Sequence, residues 1–132
     1  MKNRLLMVLL IVAPFNVLAG TIEHAEITID IANGSVQGSM LGARNSADPS
    51  SFISCQVTGS GTFSSPGSLG TFCYANTTAQ GFSFCWSGSP QVAEAASSVS
   101  ASSYINFNWD PNGSNGGECT SVNVNNGSWL LE

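Results

Sequence analysis

Apolar residues recur at every second position through much of this chain. Ile27, Ile29 and Ile31 alternate with polar neighbours, Asn33-Gly34 follows, and Val36 resumes the pattern. Period-two alternation marks a half-buried strand, and Asn-Gly between two such runs marks a two-residue hairpin turn. That turn would pair Ile31 with Val36 and Ile27 with Met40. The end of the chain repeats the device: Val122 and Val124 alternate with asparagines, Asn126-Gly127 turns, and Trp129 and Leu131 return. Four more strand candidates lie between the hairpins: Phe52–Val57, Thr71–Ala75, Phe82–Trp86 and Tyr104–Trp109. Each carries aromatic or β-branched residues with turn chemistry on both sides. Gly59 to Gly70 has the composition of a flexible loop, and Asp110 to Gly117 that of a turn.

A single segment has the helical period. Ser89 can cap it, Pro90 suits its first position, and Val92, Ala95, Ala96 and Val99 fall on one face. These are small side chains, so the helix is expected to sit close against a sheet. The pattern therefore predicts a mainly β (α+β) fold: a single small antiparallel β domain with one short helix. From Cys55 to Leu131 the order is β-β-β-α-β-β-β, preceded by the Asn33-Gly34 hairpin.

The first residues do not belong to this pattern. Lys2 and Arg4 precede a nearly unbroken apolar run from Leu5 to Leu18, which ends in Val17-Leu18-Ala19. A positive start, a short apolar stretch and small residues before a cut are the parts of a signal peptide. Residues 1–19 are expected to be removed before Gly20, leaving one domain over 20–132. No second apolar run reaches membrane length, so the processed chain is expected to be secreted or periplasmic, without a membrane association.

Removing that segment changes the charge balance. Only Arg44 then stands against eight acids, a net charge of −7 with no lysine. Binding a phosphate backbone needs several Lys or Arg contacts, so nucleic acid is excluded as a partner.

Cys55, Cys73, Cys85 and Cys119 all lie in the processed part. An even count in a small exported chain indicates disulfides. No CxxC pair exists and the one histidine is His24, so a zinc site is not indicated. On the chain-entropy account each disulfide would stabilise the fold by roughly 3–4 kcal/mol. A hairpin centred on residue 64 sets Cys55 opposite Cys73, and one centred on residue 79 sets Cys73 opposite Cys85. All three then point to one face of a meander, with Ile53, Val57 and Ala75. Two pairings fit: Cys55–Cys73 with Cys85–Cys119, placed first, and Cys73–Cys85 with Cys55–Cys119. The third would have to cross a central strand.

The other face of that meander collects Phe52, Phe72, Tyr74, Phe82, Phe84 and Trp86. Phe72, Tyr74, Phe84 and Trp86 could stack against sugar rings in an exported binding module. The competing reading makes this face the core, covered by the helix or by the Trp109 and Trp129 hairpins. Of the seven Phe in the chain all but Phe15 lie in the domain, and with three Trp they are what a domain of this size needs inside, so composition favours the core.

Three motifs together resemble a group of short exported bacterial proteins of unknown function. Gly42-Ala43-Arg44-Asn45-Ser46-Ala47-Asp48 runs into Ile53-Ser54-Cys55, and Cys73-Tyr74-Ala75 is followed by a glycine and Cys85. Tyr104-Ile105-Asn106-Phe107-Asn108-Trp109-Asp110 leads to Cys119-Thr120. The resemblance covers about residues 38 to 131. It implies export and no particular activity.

The remaining candidate chemistry is thin. A Ser–His–Asp arrangement would depend on His24 near the processed N-terminus, and a Ser–Lys variant on a lysine the processed chain lacks. Oxidised cysteines offer no thiolate. Asp110 and Glu118 flank one loop, which is a poor place for a glycosidase cleft. Asp110 to Glu118 also has oxygen-bearing side chains at alternate positions, as calcium loops do. However, Asn115 stands where the sharp-turn glycine belongs and Ser121 where the bidentate glutamate belongs. A Gly/Asn turn is the simpler account. Arg44 and Asp48 are expected to form a structural ion pair before the Cys55 strand. The expected function is that of an exported, non-catalytic binding module for a glycan or protein, with no metal or cofactor. The alternatives are a structural or assembly component acting through sheet edges and, behind it, a small hydrolase.

Overall fold

The computed structural model describes residues 25–60, 67–112 and 114–127. The expected signal peptide and the Trp129–Leu131 arm of the C-terminal hairpin lie outside these residues. The strands are β1 (Thr28–Asp30), β2 (Ser35–Ser39), β3 (Phe52–Gly59), β4 (Leu69–Thr77), β5 (Gly81–Ser87), β6 (Tyr104–Trp109) and β7 (Gly116–Asn125). Two helices interrupt them, α1 (Met40–Asn45) and α2 (Pro90–Ser97). The mainly β fold expected from the sequence is present. The described strands form one sheet in the order β1-β2-β6-β7-β5-β4-β3.

The central meander follows the alternation. Cys55 pairs with Cys73 across β3 and β4, and Cys73 with Cys85 across β4 and β5. Both hairpin centres inferred from the sequence are therefore correct. Disulfides join Cys55 to Cys73 and Cys85 to Cys119, with Cα separations of 4.0 and 4.9 Å. The second bond links β5 to β7, which pair in parallel over Phe84–Trp86 and Gly116–Glu118. The sheet is thus mixed, where a purely antiparallel one was expected. Parallel neighbours need a long connection, here α2 and β6, and no local pattern announces such a pair.

β7 changes phase along its length. Trp109 pairs with Cys119 but Asn108 with Ser121, so Thr120 is an extra residue. The bulge lets Cys119 and Val122 both point inward although they are three apart.

The core lies on one face of the sheet. Val36, Ile105 and Phe107 are fully buried there, joined by Ile53, Cys73, Ala75, Cys85 and Trp109. α2 packs across β3, β4 and β7. Its buried residues are Ala93 and Ala96, and the sheet surface beneath is equally small: Cys73, Ala75, Ser83, Cys85 and Ser87. Small side chains on both partners let helix and sheet approach closely. Pro90 opens the helix as expected, but Ser89 makes no side-chain cap bond; its hydroxyl donates to Gln91 Oε1 instead.

Two local expectations need correction. The β1–β2 turn spans Ile31 to Gly34, so Ile29 rather than Ile31 faces Val36. The Asp30 carboxylate accepts hydrogen bonds from the backbone and side chain of Asn33, which widens the turn, and Ile31 becomes exposed. Gly34 has φ +60 and its carbonyl accepts a 2.8 Å bond from Trp109 N–H, an approach that leaves no room for a Cβ. Met40 does not continue β2. It starts α1, because the Ser39 hydroxyl accepts from Gly42 N–H at 2.7 Å and caps a short helix.

Candidate functional site

The core reading of the aromatic face is not what forms. With α2 and the core on the Cys73 face, the aromatic face is left toward solvent. Trp86 is 52% exposed, Phe82 42%, Phe52 41% and Phe72 37%, while Tyr74 and Phe84 are half-buried.

Registers order these side chains in three rows across the strands. Phe52, Asn76 and Phe82 make the first, and Ser54, Tyr74, Phe84 and Gly116 the second. The third holds Gln56, Phe72, Trp86 and Glu118. Phe72, Tyr74, Phe82 and Phe84 lie at shallow mutual angles, whereas Phe52 meets Tyr74 edge-on at 71° and Phe82 at 55°. Phe72 and Phe84 centroids are 5.4 Å apart at 32°, Phe82 and Phe84 5.9 Å at 27°, and Tyr74 and Phe82 6.4 Å at 29°. These four rings therefore form a gently tilted pavement, with Phe52 standing edge-on at its margin. Gly116 is needed for it: a Cβ there would come within 2.6 Å of the Phe84 ring, which lies over β7 at that point.

The pavement stops at β7. Beyond it the same face carries Ser35, Gln37, Asn106, Asn108, Ser121 and Asn123. The Asn108 amide donates to Asn106 and to Ser121 Oγ at 2.9 and 2.8 Å. One half of the outer face is thus aromatic and the other a self-bonded amide surface. An exposed aromatic group of this extent, rimmed by polar residues, is the usual mark of a binding surface.

A concavity of about 370 Å³ adjoins it, lined by Asp110, Asn112, Ser114, Glu118 and Thr120 among others. The Asp110 loop is braced by Trp109 Nε1–H donating to the Ser114 carbonyl at 3.2 Å and by Ser114 N–H donating to the Pro111 carbonyl at 2.6 Å. Asp110 and Glu118, separated in the sequence by the turn, therefore line one hollow. Among the described residues no cluster of three or more His, Cys, Asp or Glu side chains has a metal-binding arrangement.

Phe72, Tyr74, Phe84 and Trp86 are brought together as the register arithmetic placed them. Phe52 and Phe82 extend the same surface, and Gln56 and Glu118 close its third row. The alternation already put Phe52 and Phe82 on this face. Glu118 required knowing that β7 lies beside β5, which no local signal gives.

Arg44 and Asp48 do not form the expected ion pair among the described residues. Arg44 is exposed at the end of α1. The Asp48 carboxylate is taken by Thr78 and by the Ser50 N–H, which hold its pKa below the usual value. Neutral donors from the neighbouring Ser50 and from Thr78, thirty positions along, satisfied it where a flexible guanidinium was expected.

No protein-family model matches the chain, and neither a curated protein nor a solved structure does.

Proposed function

We propose that this chain is an exported, non-catalytic carbohydrate-binding protein whose ligand lies on the aromatic face of β3, β4 and β5. The observation that carries the reading is the exposure of the Phe52, Phe72, Phe82 and Trp86 rings on a sheet whose opposite face is closed by α2. Aromatic faces give a pyranose the flat apolar contact its C–H side needs. The amide of Gln56 and the carboxylate of Glu118 stand at the two ends of the Phe72–Trp86 row, in place to hold equatorial hydroxyls. The two disulfides fit an oxidising compartment, as the Lys2/Arg4 leader and its cleavage site do. Among the described residues no helix is long and apolar enough to cross a membrane.

The test is adsorption of the processed protein to insoluble β-glucan and chitin, with Trp86→Ala and Phe72→Ala in parallel. Binding that falls about tenfold in each variant supports the reading. Absence of binding to every polysaccharide, or binding indifferent to both substitutions, removes it.

A second reading, assembly through sheet edges, rests on β3. The Cys55–Cys73 pair is a narrow one, and Ser60 N–H donates to the Ser68 carbonyl, so Cys55, Val57 and Gly59 turn their backbone groups away from β4. The stretch from Gln56 to Gly59 carries no charge and no proline, and most of it is exposed. β1, at the other edge, is short, and Gln80 Oε1 accepts from Ile29 N–H. A self-associating species in sedimentation that Val57→Pro returns to monomer would favour this reading.

A further inference from the structure

The carbohydrate reading leaves the kind of sugar open, and the charges beside the aromatic rows narrow it. We infer that the ligand carries protonated amino groups: the face is built for an amine-bearing glycan, held at Trp86 and Glu118 and continuing into the hollow toward Asp110. This inference rests on the carbohydrate reading.

Glu118 belongs to two features at once. It stands opposite Trp86 in the parallel register of β5 and β7, and it lines the hollow that also holds Asp110. Both carboxylates are exposed, and no lysine or arginine occurs among the residues of the aromatic rows or the named lining of the hollow. The arginine that the described residues do contain, Arg44, sits on α1, which packs against β2 and β3. An ammonium group beside Trp86 would meet a ring face and a carboxylate together, and each favours a cation over a neutral amide. The hollow is of the size that small-molecule sites have, about 300–1,000 Å³. Its other donors and acceptors, Asn112, Ser114 and Thr120, suit hydroxyls. A negatively charged sugar, by contrast, would find only like charge here.

Two oligosaccharides of equal length and linkage separate the possibilities: β-1,4-linked glucosamine and its fully N-acetylated counterpart. Their affinities are measured by titration calorimetry with the processed protein at about pH 5.5, where carboxylates are ionised and most amines protonated. The glucosamine oligomer is expected to bind about tenfold more tightly. Glu118→Gln should bring the two affinities together while both are retained. Trp86→Ala should weaken both. Glu94→Gln, on α2 at the other side of the sheet, should leave the preference intact.

Equal affinities in the wild-type protein, or tighter binding of the acetylated oligomer, overturn the inference and leave the carbohydrate reading standing. An equal loss of preference in Glu94→Gln overturns it too, by showing attraction to overall negative charge. If neither oligomer binds and a lysine-rich peptide does, both readings fail together.

Discussion

Thr78 donates both its backbone N–H and its hydroxyl to the Asp48 carboxylate, at 2.6 and 2.7 Å. The contact ties the segment before β3 to the β4–β5 turn, across thirty positions of sequence. It also makes the fold sensitive to acid. The hydroxyl of Thr78, then its N–H and that of Ser50, favour the ionised form and place the native pKa below 3.8. Asp30 is lowered likewise, first by the Asn33 side chain and then by its N–H. A lowered native pKa means that the unfolded chain takes up the proton first as pH falls. The stabilisation is whole above 3.8 and is lost as pH drops through the native value. Asp48→Asn is therefore expected to lower the melting temperature at neutral pH and to flatten its decline between about pH 5 and about pH 2. Melting curves across that range check it. An unchanged acid limb would assign Asp48 no part in the linkage.

The two kinds of large aromatic side chain should respond oppositely to truncation. Phe107 is fully buried, so Phe107→Ala is expected to cost about 3–5 kcal/mol. Trp86 is half exposed, and Trp86→Ala should cost less than about 1 kcal/mol while weakening carbohydrate binding about tenfold. Denaturant midpoints measured beside adsorption isotherms separate the two. A Trp86→Ala midpoint as low as that of Phe107→Ala would return the aromatic face to the core.

Gly116 gives a sharper test of the surface. Its missing Cβ is the space that the Phe84 ring fills. Gly116→Val should destabilise by about 1–3 kcal/mol and displace that ring, weakening ligand binding although residue 116 itself offers no polar group. A shift in the Phe84 ring resonances alongside the lower midpoint would confirm the mechanism.

The disulfides should differ in both strength and accessibility. Cys85–Cys119 closes 34 residues and Cys55–Cys73 closes 18. Loop entropy then assigns about 4 and about 3 kcal/mol to them. Cys85 and Cys119 are both buried, whereas Cys55 is half-buried near the exposed end of β3. Mild reductant is expected to open Cys55–Cys73 first, as timed alkylation and peptide mapping would show. Early loss of Cys85–Cys119 would contradict the burial argument.

The sequence was informative wherever neighbouring arms pair directly. Symmetric loops about residues 64 and 79, with unbroken alternation on either side, were enough to align Cys55, Cys73 and Cys85. The Asn33-Gly34 turn misled because the Asp30 side chain captures Asn33 and sets a wider turn. α1 was hidden because it is only six residues long and follows a strand without a break. For the aromatic rows, alternation told which residues share a face but not which face is inside. Composition, with so many Phe and Trp, pointed the wrong way. The better signal was size matching: a helix face of Ala93 and Ala96 fits a sheet face of Cys73, Ala75, Ser83 and Cys85, which leaves the aromatic face for solvent. The nearness of Glu118 to Trp86 comes from the β5–β7 pairing, a contact between segments with α2 and β6 between them.

β7 is last among the described strands in chain order and central in the sheet. It receives β6 along one edge and β5 along the other, and it carries the partner of Cys85. A chain emerging from a secretion channel with its amino end first would therefore present β3, β4 and β5 as a meander whose β5 edge still lacks its neighbour. Closure would have to wait until β7 had crossed. Until then the Phe and Trp rings have no finished scaffold behind them, and the unpaired β5 edge is open to wrong strands. Such a molecule would depend on a holding chaperone during export more than one whose terminal strand lies at the margin. The same delay would also give an exporting cell a simple check, because a product cut short before Gly116 would lack the partner for Cys85 and keep a free thiol.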